Sequence, residues 1–178
     1  MYRRNEIIEY LEKYGWNEYR SINTEKIMEL YNQYFNSFNE DDYTTISFQP
    51  YLVFNKVLDF WKSFGELTIS YPLILNIIGE NGIRYKKEKV FNIIIDYSSI
   101  LNCSMYQIID CSIFFNKKLF PVALDTASQA FICIDEKGYF YMINDGCVHC
   151  FSDDFFQLVD TLINDKKFPK PVYVDEYD

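Results

Sequence analysis

The sequence predicts a single α+β domain, in which N-terminal helices pack on a mainly antiparallel, twisted sheet and further helices lie in the middle and at the C-terminus. Two observations support this fold class. Apolar residues recur at helical spacing up to Gly65, and at a spacing of two from Glu66 onward. The 178 residues are 49% hydrophobic and 24% charged, which is typical of one globular domain rather than a disordered or fibrous chain.

Three amphipathic helices are predicted in the first third of the chain. The first covers residues 7–14 and ends at Gly15, since glycine is the residue that most readily stops a helix. The second covers residues 27–35. The third begins near Pro50, where a missing N–H costs nothing in the first turn, and ends at Gly65.

The change to a period of two predicts strands after the third helix. Residues 67–71 alternate between apolar and polar and stop at Pro72, and residues 73–78 form an apolar run, so two strands are expected before a turn at 79–82. A further strand is predicted at residues 90–95.

The second half of the chain predicts a helix, an antiparallel meander and a last helix. The middle helix follows Ser104, and the last begins at Ser152, with acidic residues in its first turn. The meander strands are expected at residues 119–124, 130–134, 139–143 and 147–151. Because these strands are apolar on both faces, a layer is expected to cover each side of the sheet. We therefore predict one domain over residues 1–168 and a short acidic tail over residues 169–178.

Charge and composition limit the compartment and the partners. No apolar stretch approaches the roughly 18 residues of a membrane helix, and no secretory signal is found, so a cytoplasmic location is expected. The net charge is −9, and residues 90–178, with six basic and thirteen acidic residues, carry −7 of it. Such a surface repels nucleic acid and anionic membranes but attracts a basic protein. The alternative is that the acidity only keeps the protein soluble.

Patterns that could carry catalysis or bind a metal are weak. Cys147 and Cys150 flank His149, the only histidine, but residues three apart on a strand point to opposite faces and cannot chelate one ion. We predict five reduced, structural thiols, no metal and no cofactor. The acidic pairs are expected to be solvated or to complement a helix dipole, and the basic residues 84–89 to be a solvated strand flank. No enzymatic activity is predicted.

Several short signatures follow one another along the chain: Gly15-Trp16 followed by Arg20, then the segments 60–67, 95–96, 119–122 and 134–141. In their order and spacing they resemble the SUKH superfamily of bacterial immunity proteins, in particular its third subfamily, in which the first of these signatures closes the first helix. Glu66 and Ala123 depart from the family pattern, which tends to have glycine at both positions. The resemblance implies that its motif residues shape the fold rather than catalyse. These residues are Gly15, Trp16, Arg20, Trp61, Phe64, Gly65, Asp96, Pro121, Asp135 and Gly138.

The resemblance also implies a role. Proteins of this superfamily act by binding a cognate toxin domain, frequently a nuclease, so we expect an immunity protein that neutralises a polymorphic toxin by blocking its active site or substrate groove. Neither nucleic acid nor a membrane is an expected partner, and the sequence leaves the oligomeric state open. The acidic residues expected to contact the toxin are Glu40, Asp41, Asp42, Asp145, Asp153 and Asp154.

Two other functions stay open at this point. One is a scaffold or regulatory domain that uses the same fold to bind a different cellular protein, which a toxin gene beside this gene would argue against. The other is an enzyme centred on His149, which a buried His149 without polar partners would exclude.

Overall fold

The computed structural model describes residues 3–25, 28–29, 55–79, 82–97, 105–144 and 147–174. The helices in these ranges are α1 (Arg4–Glu12), α2 (Asn55–Phe64), α3 (Met105–Phe115) and α4 (Phe155–Ile163). The strands are β1 (Leu67–Ile78), β2 (Arg84–Ile95), β3 (Leu119–Asp125), β4 (Ala130–Asp135), β5 (Phe140–Asn144), β6 (Cys147–Cys150) and β7 (Pro171–Val174). The α+β class is therefore confirmed. The helix predicted at residues 27–35 and the start of the third predicted helix lie outside the described residues.

The sheet is a continuous meander. Its seven strands lie in sequence order, from β1 at one edge to β7 at the other, and every neighbouring pair is antiparallel. Short turns suffice for the hairpins of β3 to β6, whereas α3 lies in the connection from β2 to β3 and α4 in the one from β6 to β7.

The prediction of two strands separated by Pro72 is wrong. A single 12-residue strand, β1, runs through Pro72 and pairs with β2 without interruption, from Leu67 opposite Ile95 to Ile78 opposite Arg84. Proline is tolerated because β1 is an edge strand, where a residue without an N–H can face away from its only neighbour. The partner strand correspondingly begins at Arg84, well before the predicted start.

Two hydrophobic layers cover the two faces of the sheet, as the apolar strands predict. On one face, α1, α2 and α4 pack against residues such as Ile69, Ile93 and Ile132. On the other face, α3 packs through Ile108 against a smaller cluster that includes Cys133. Adjacent residues of β4 thus belong to opposite layers, which follows from the alternation of side chains along a strand.

The C-terminal part differs from the prediction in two respects. The last helix begins at Phe155, and its N-cap is Asp154 rather than Ser152, because the Asp154 carboxylate accepts a hydrogen bond from the Phe156 N–H at 3.0 Å. In addition, β7 was not predicted. Residues 171–174 pair with β6, so the segment expected to be only an acidic tail begins with a strand.

None of the helices in the described ranges has the length and apolarity that a bilayer-spanning helix needs.

Candidate binding surface

The acidic residues proposed to contact a partner are only partly covered by the structure. Residues 40–42 and Asp145 lie outside the described residues. The side chain of Asp153 is exposed, as expected. Asp154 is half-buried and already engaged, since in addition to capping α4 it accepts a hydrogen bond from Arg4 of α1 at 3.1 Å. Of the described acidic candidates, Asp153 is therefore the one whose carboxylate is exposed and open to a partner.

Asp125, at the end of β3, is a fully buried acid that sequence reasoning did not single out. Its carboxylate accepts hydrogen bonds from the hydroxyl of Tyr71 and, at 3.0 Å, from the N–H of Ser128. Burial, and then the hydrogen bond and charge of Asp125, raise the pKa of Tyr71 far above the ordinary value of a tyrosine. The hydrogen bond between Tyr71 and Asp125 connects β1 to β3, and both side chains are buried from solvent. We therefore interpret the pair as structural.

Asp135, one of the family-motif residues, organises the turn between β4 and β5. Its carboxylate accepts hydrogen bonds from the N–H groups of Lys137 and Tyr139, both at 2.9 Å, and from the hydroxyl of Tyr141 at 3.1 Å. Gly138 in the same turn has φ of +97°, a conformation that side chains disfavour. The turn therefore needs both Asp135 and Gly138 for its geometry.

A second group of motif residues joins the segment after α1 to the end of α2. Arg20 donates hydrogen bonds to the carbonyls of Gly65, at 2.7 Å, and of Gly15, at 3.3 Å. The Trp16 ring stacks on Phe64 with the ring centroids 5.9 Å apart. Trp16 thus lies beyond α1 and still packs against the core.

The remaining motif residues lie in α2, in β3 and directly after β2. Trp61 is fully buried in α2. Pro121 is buried in β3, where the register with β4 shifts between Pro121 and Ala123. Asp96 is half-buried directly after β2.

Cys147 and His149 form a polar pair on β6. The Nδ1 of His149 lies 2.8 Å from the carbonyl oxygen of Pro169, which requires this nitrogen to carry the proton and to donate. In the neutral ring the Nε2 is then an acceptor for the thiol of Cys147, whose sulfur is 3.3 Å away. His149 is half-buried and has two polar partners, so the condition that would have excluded an enzymatic role is not met.

None of the described cysteines, which are Cys111, Cys133, Cys147 and Cys150, forms a disulfide. Within the described ranges, no three residues of the metal-binding types His, Cys, Asp and Glu lie close enough together to hold an ion. Burial, and next the charge of Asp110, raise the pKa of Cys111 to about 11, so this thiol stays protonated at neutral pH.

Several strongly exposed apolar side chains and a cluster of exposed basic side chains lie on one part of the sheet, which we call the arm. It consists of residues 73–79, at the end of β1 and the start of the following turn, and residues 82–90, which include the first half of β2. Because β2 pairs with β3 only at Ile93 and Ile94, the arm is a two-stranded ribbon that extends beyond the rest of the sheet. Ile74, Ile78 and Val90 are 61%, 64% and 64% exposed on one face of this ribbon.

The arm also carries the main basic cluster of the chain. Residues 84–90 contain four basic residues and one acidic residue, all exposed, in a chain whose net charge is −9. The sequence predicts their exposure correctly but not the exposure of Ile74 and Ile78 beside them, because an apolar run predicts a strand without indicating whether a layer covers it. The one feature of the sequence that distinguishes this edge strand is the absence of charged residues between positions 67 and 79.

The sequence of the chain matches the model of a known protein family. The family model described as SUKH-3 immunity protein matches residues 3–165, which covers the motif residues, α1 to α4 and β1 to β6. Searches of curated proteins and of solved structures found no match. Because the family model covers most of the chain, the protein belongs to the SUKH-3 immunity protein family.

Proposed function

We propose that the protein binds a cognate polymorphic toxin in the bacterial cytoplasm and neutralises it by blocking its active site or substrate groove. The observation that carries this proposal is the family match over residues 3–165, since an immunity protein implies a cognate toxin. In this proposal the chain acts by binding and not by catalysis. The polar groups described above support this, because the carboxylates of Asp125 and Asp135 are used to hold strands and turns together.

We further propose that the toxin is a nuclease. A nuclease carries a basic groove that holds phosphates, and an acidic protein that meets this groove both accelerates the encounter and excludes the substrate. The charge of −9 and the exposed carboxylate of Asp153 are compatible with such a partner.

The test is co-expression of this chain with the toxin encoded beside its gene. Growth is expected to be rescued by the wild-type chain, and a chain that gives no protection would contradict the immunity function. For the purified pair, the association rate is expected to fall as salt rises, because the Debye length is only about 8 Å at physiological ionic strength. The dissociation rate should change less.

A single-charge variant tests the contribution of the acidic surface. Asp153→Asn removes an exposed charge from the second half of the chain, and Glu9→Gln removes one from α1 as the matched control. We expect the association rate to fall for Asp153→Asn and to stay unchanged for Glu9→Gln. A rate that is insensitive to salt and to both changes would keep the immunity function but reject steering by acidic residues.

A further inference from the structure

The two edges of the arm can be assigned because hydrogen bonds elsewhere in β1 and β2 fix the direction of each backbone group. Asn92, which lies opposite Ser70, receives a bond from the Thr126 N–H and donates its own N–H to the Thr126 hydroxyl. Its backbone groups therefore point away from β1. At the tip, the Gly79 N–H donates to the carbonyl of Ile83, towards the other strand.

Backbone groups alternate along an antiparallel pair, so even-numbered residues of β1 point their N–H and C=O away from β2. The carbonyl of Ser70 agrees with this assignment, since it accepts hydrogen bonds from the hydroxyls of Tyr10 and Tyr14, at 2.5 Å and 2.6 Å, from α1 outside the sheet. The next outward-facing residue, Pro72, has no N–H. The free outer edge of β1 therefore begins at residue 74.

Three residues make up this free edge: Ile74, Asn76 and Ile78. Their N–H and C=O groups point away from β2, and no strand in the described part of the chain pairs with this side of β1. All three side chains are exposed. Unpaired backbone groups along an exposed apolar edge are a template for another strand.

The two edges of the arm differ in how strongly they discourage the addition of another strand. On β2, the residues with outward-facing backbone groups include Arg84, Lys86 and Glu88, and charged side chains discourage strand addition. On β1, residues 67–79 carry no charge. A two-stranded ribbon is also only marginally stable without a covering partner.

We propose that residues 74–78 of β1 accept an extended strand of the toxin, which lengthens the sheet by one strand. This inference rests on the proposed function and names the contact site. The incoming strand would be apolar at alternate positions, to pack on Ile74 and Ile78, and flanked by acidic residues that complement the net charge of +3 on residues 84–90. A second copy of this chain fits less well, because pairing two arms would bring two sets of like charges together.

The deciding variant is Asn76→Pro. The N–H of residue 76 points away from β2 and has no acceptor among the described residues, so proline at this position removes a donor that an incoming strand would use. Pro72 shows that the same strand accepts proline on the same side. Asn76→Thr is the matched control, since it alters the side chain but keeps the N–H and suits a strand.

The experiment measures the binding of each full-length variant to the purified toxin domain encoded beside the gene. We expect the dissociation constant to rise at least about tenfold for Asn76→Pro and to change less than about threefold for Asn76→Thr. Hydrogen exchange of the wild-type complex provides a readout that does not depend on any variant, because the amides of Ile74, Asn76 and Ile78 should become protected only when the toxin is bound.

The outcomes separate this inference from the function on which it rests. If the wild-type chain neither binds the toxin nor protects cells, both are overturned. If it binds, but Asn76→Pro binds equally well and the three amides exchange as in the free protein, only strand addition is overturned. A toxin-free dimer of the wild-type chain that Asn76→Pro converts to a monomer would assign the edge to a second copy and would also overturn the inference.

Discussion

The replacement of Gly65 by alanine tests the packing at the junction between the segment after α1 and the end of α2. A Cβ at this position would lie 2.5 Å from the Cδ1 of Ile22, 2.5 Å from the Cε3 of Trp61 and 2.7 Å from the carbonyl oxygen of Trp61. The first two distances are about 0.9 Å shorter than ordinary van der Waals contact, which begins near 3.4 Å. Trp61 is fully buried and cannot swing away.

Relief of these contacts has to displace the end of α2, because one of the atoms in the way belongs to the backbone. The displacement also disturbs two hydrogen bonds, from the Gly65 N–H to the Trp61 carbonyl at 2.8 Å and from Arg20 to the Gly65 carbonyl at 2.7 Å. Overpacking costs about 1–3 kcal/mol and a weakened hydrogen bond about 1 kcal/mol, so we expect Gly65→Ala to lower the free energy of unfolding by about 3 kcal/mol.

Urea denaturation followed by circular dichroism measures this loss. With a slope of about 2 kcal/mol per molar urea, the midpoint should fall by about 1.5 M, and the melting temperature by roughly 6–12 °C. The double variant Ile22→Ala/Gly65→Ala should lose less than the sum of the two single variants, because it removes one of the three contacts. A midpoint for Gly65→Ala within about 0.25 M of the wild type would refute the reasoning.

Three further predictions concern backbone strain, pH and thiol reactivity. Glu66 has φ of +60°, so Glu66→Gly should raise the free energy of unfolding by about 0.5–1 kcal/mol, and an unchanged or lower value by urea denaturation would argue against strain at this residue. Because the folded state raises the pKa of Tyr71, its contribution to stability is complete below the tyrosine pKa of about 10 in the unfolded chain and is lost as the pH rises above that value. Thermal melts at increasing pH should show this loss begin near pH 10, with a smaller loss in Tyr71→Phe. Finally, iodoacetamide should label Cys147 before Cys111 in the native protein, and His149→Ala should slow the labelling of Cys147, as mass spectrometry can measure.

The elements that the sequence predicted well are those whose signals are local. The end of α2 followed from an apolar face at helical spacing and from Gly65, and the structure shows that this position also excludes any side chain larger than hydrogen. The hairpin from β4 to β5 followed from the turn at residues 136–138, where Gly138 has a positive φ.

The elements that the sequence missed depend on the location of a segment in the whole fold. Pro72 looks like a strand break when read alone, and only the position of β1 at the edge of the sheet makes it harmless. Similarly, β7 is short and begins with Pro171. It pairs with β6, from which it is separated in the sequence by α4.

The candidate site shows the same limitation. The exposed position of Asp153 could be predicted from its place beside a helix start, but the capping bond of Asp154 depends on which residue begins α4. The edge of the arm could not be found from sequence, because an apolar run gives no indication of whether a second layer covers it.

The linear strand order has a consequence for how the molecule assembles. Hairpins between consecutive strands require the closure of only short or moderate loops, so the meander of β3 to β6 can form early and locally. The contact of Arg4 with Asp154, by contrast, joins residues separated by 150 positions. The docking of α1 onto α4 is therefore expected to be a late step, after which the first helix holds the last one in place against the completed sheet.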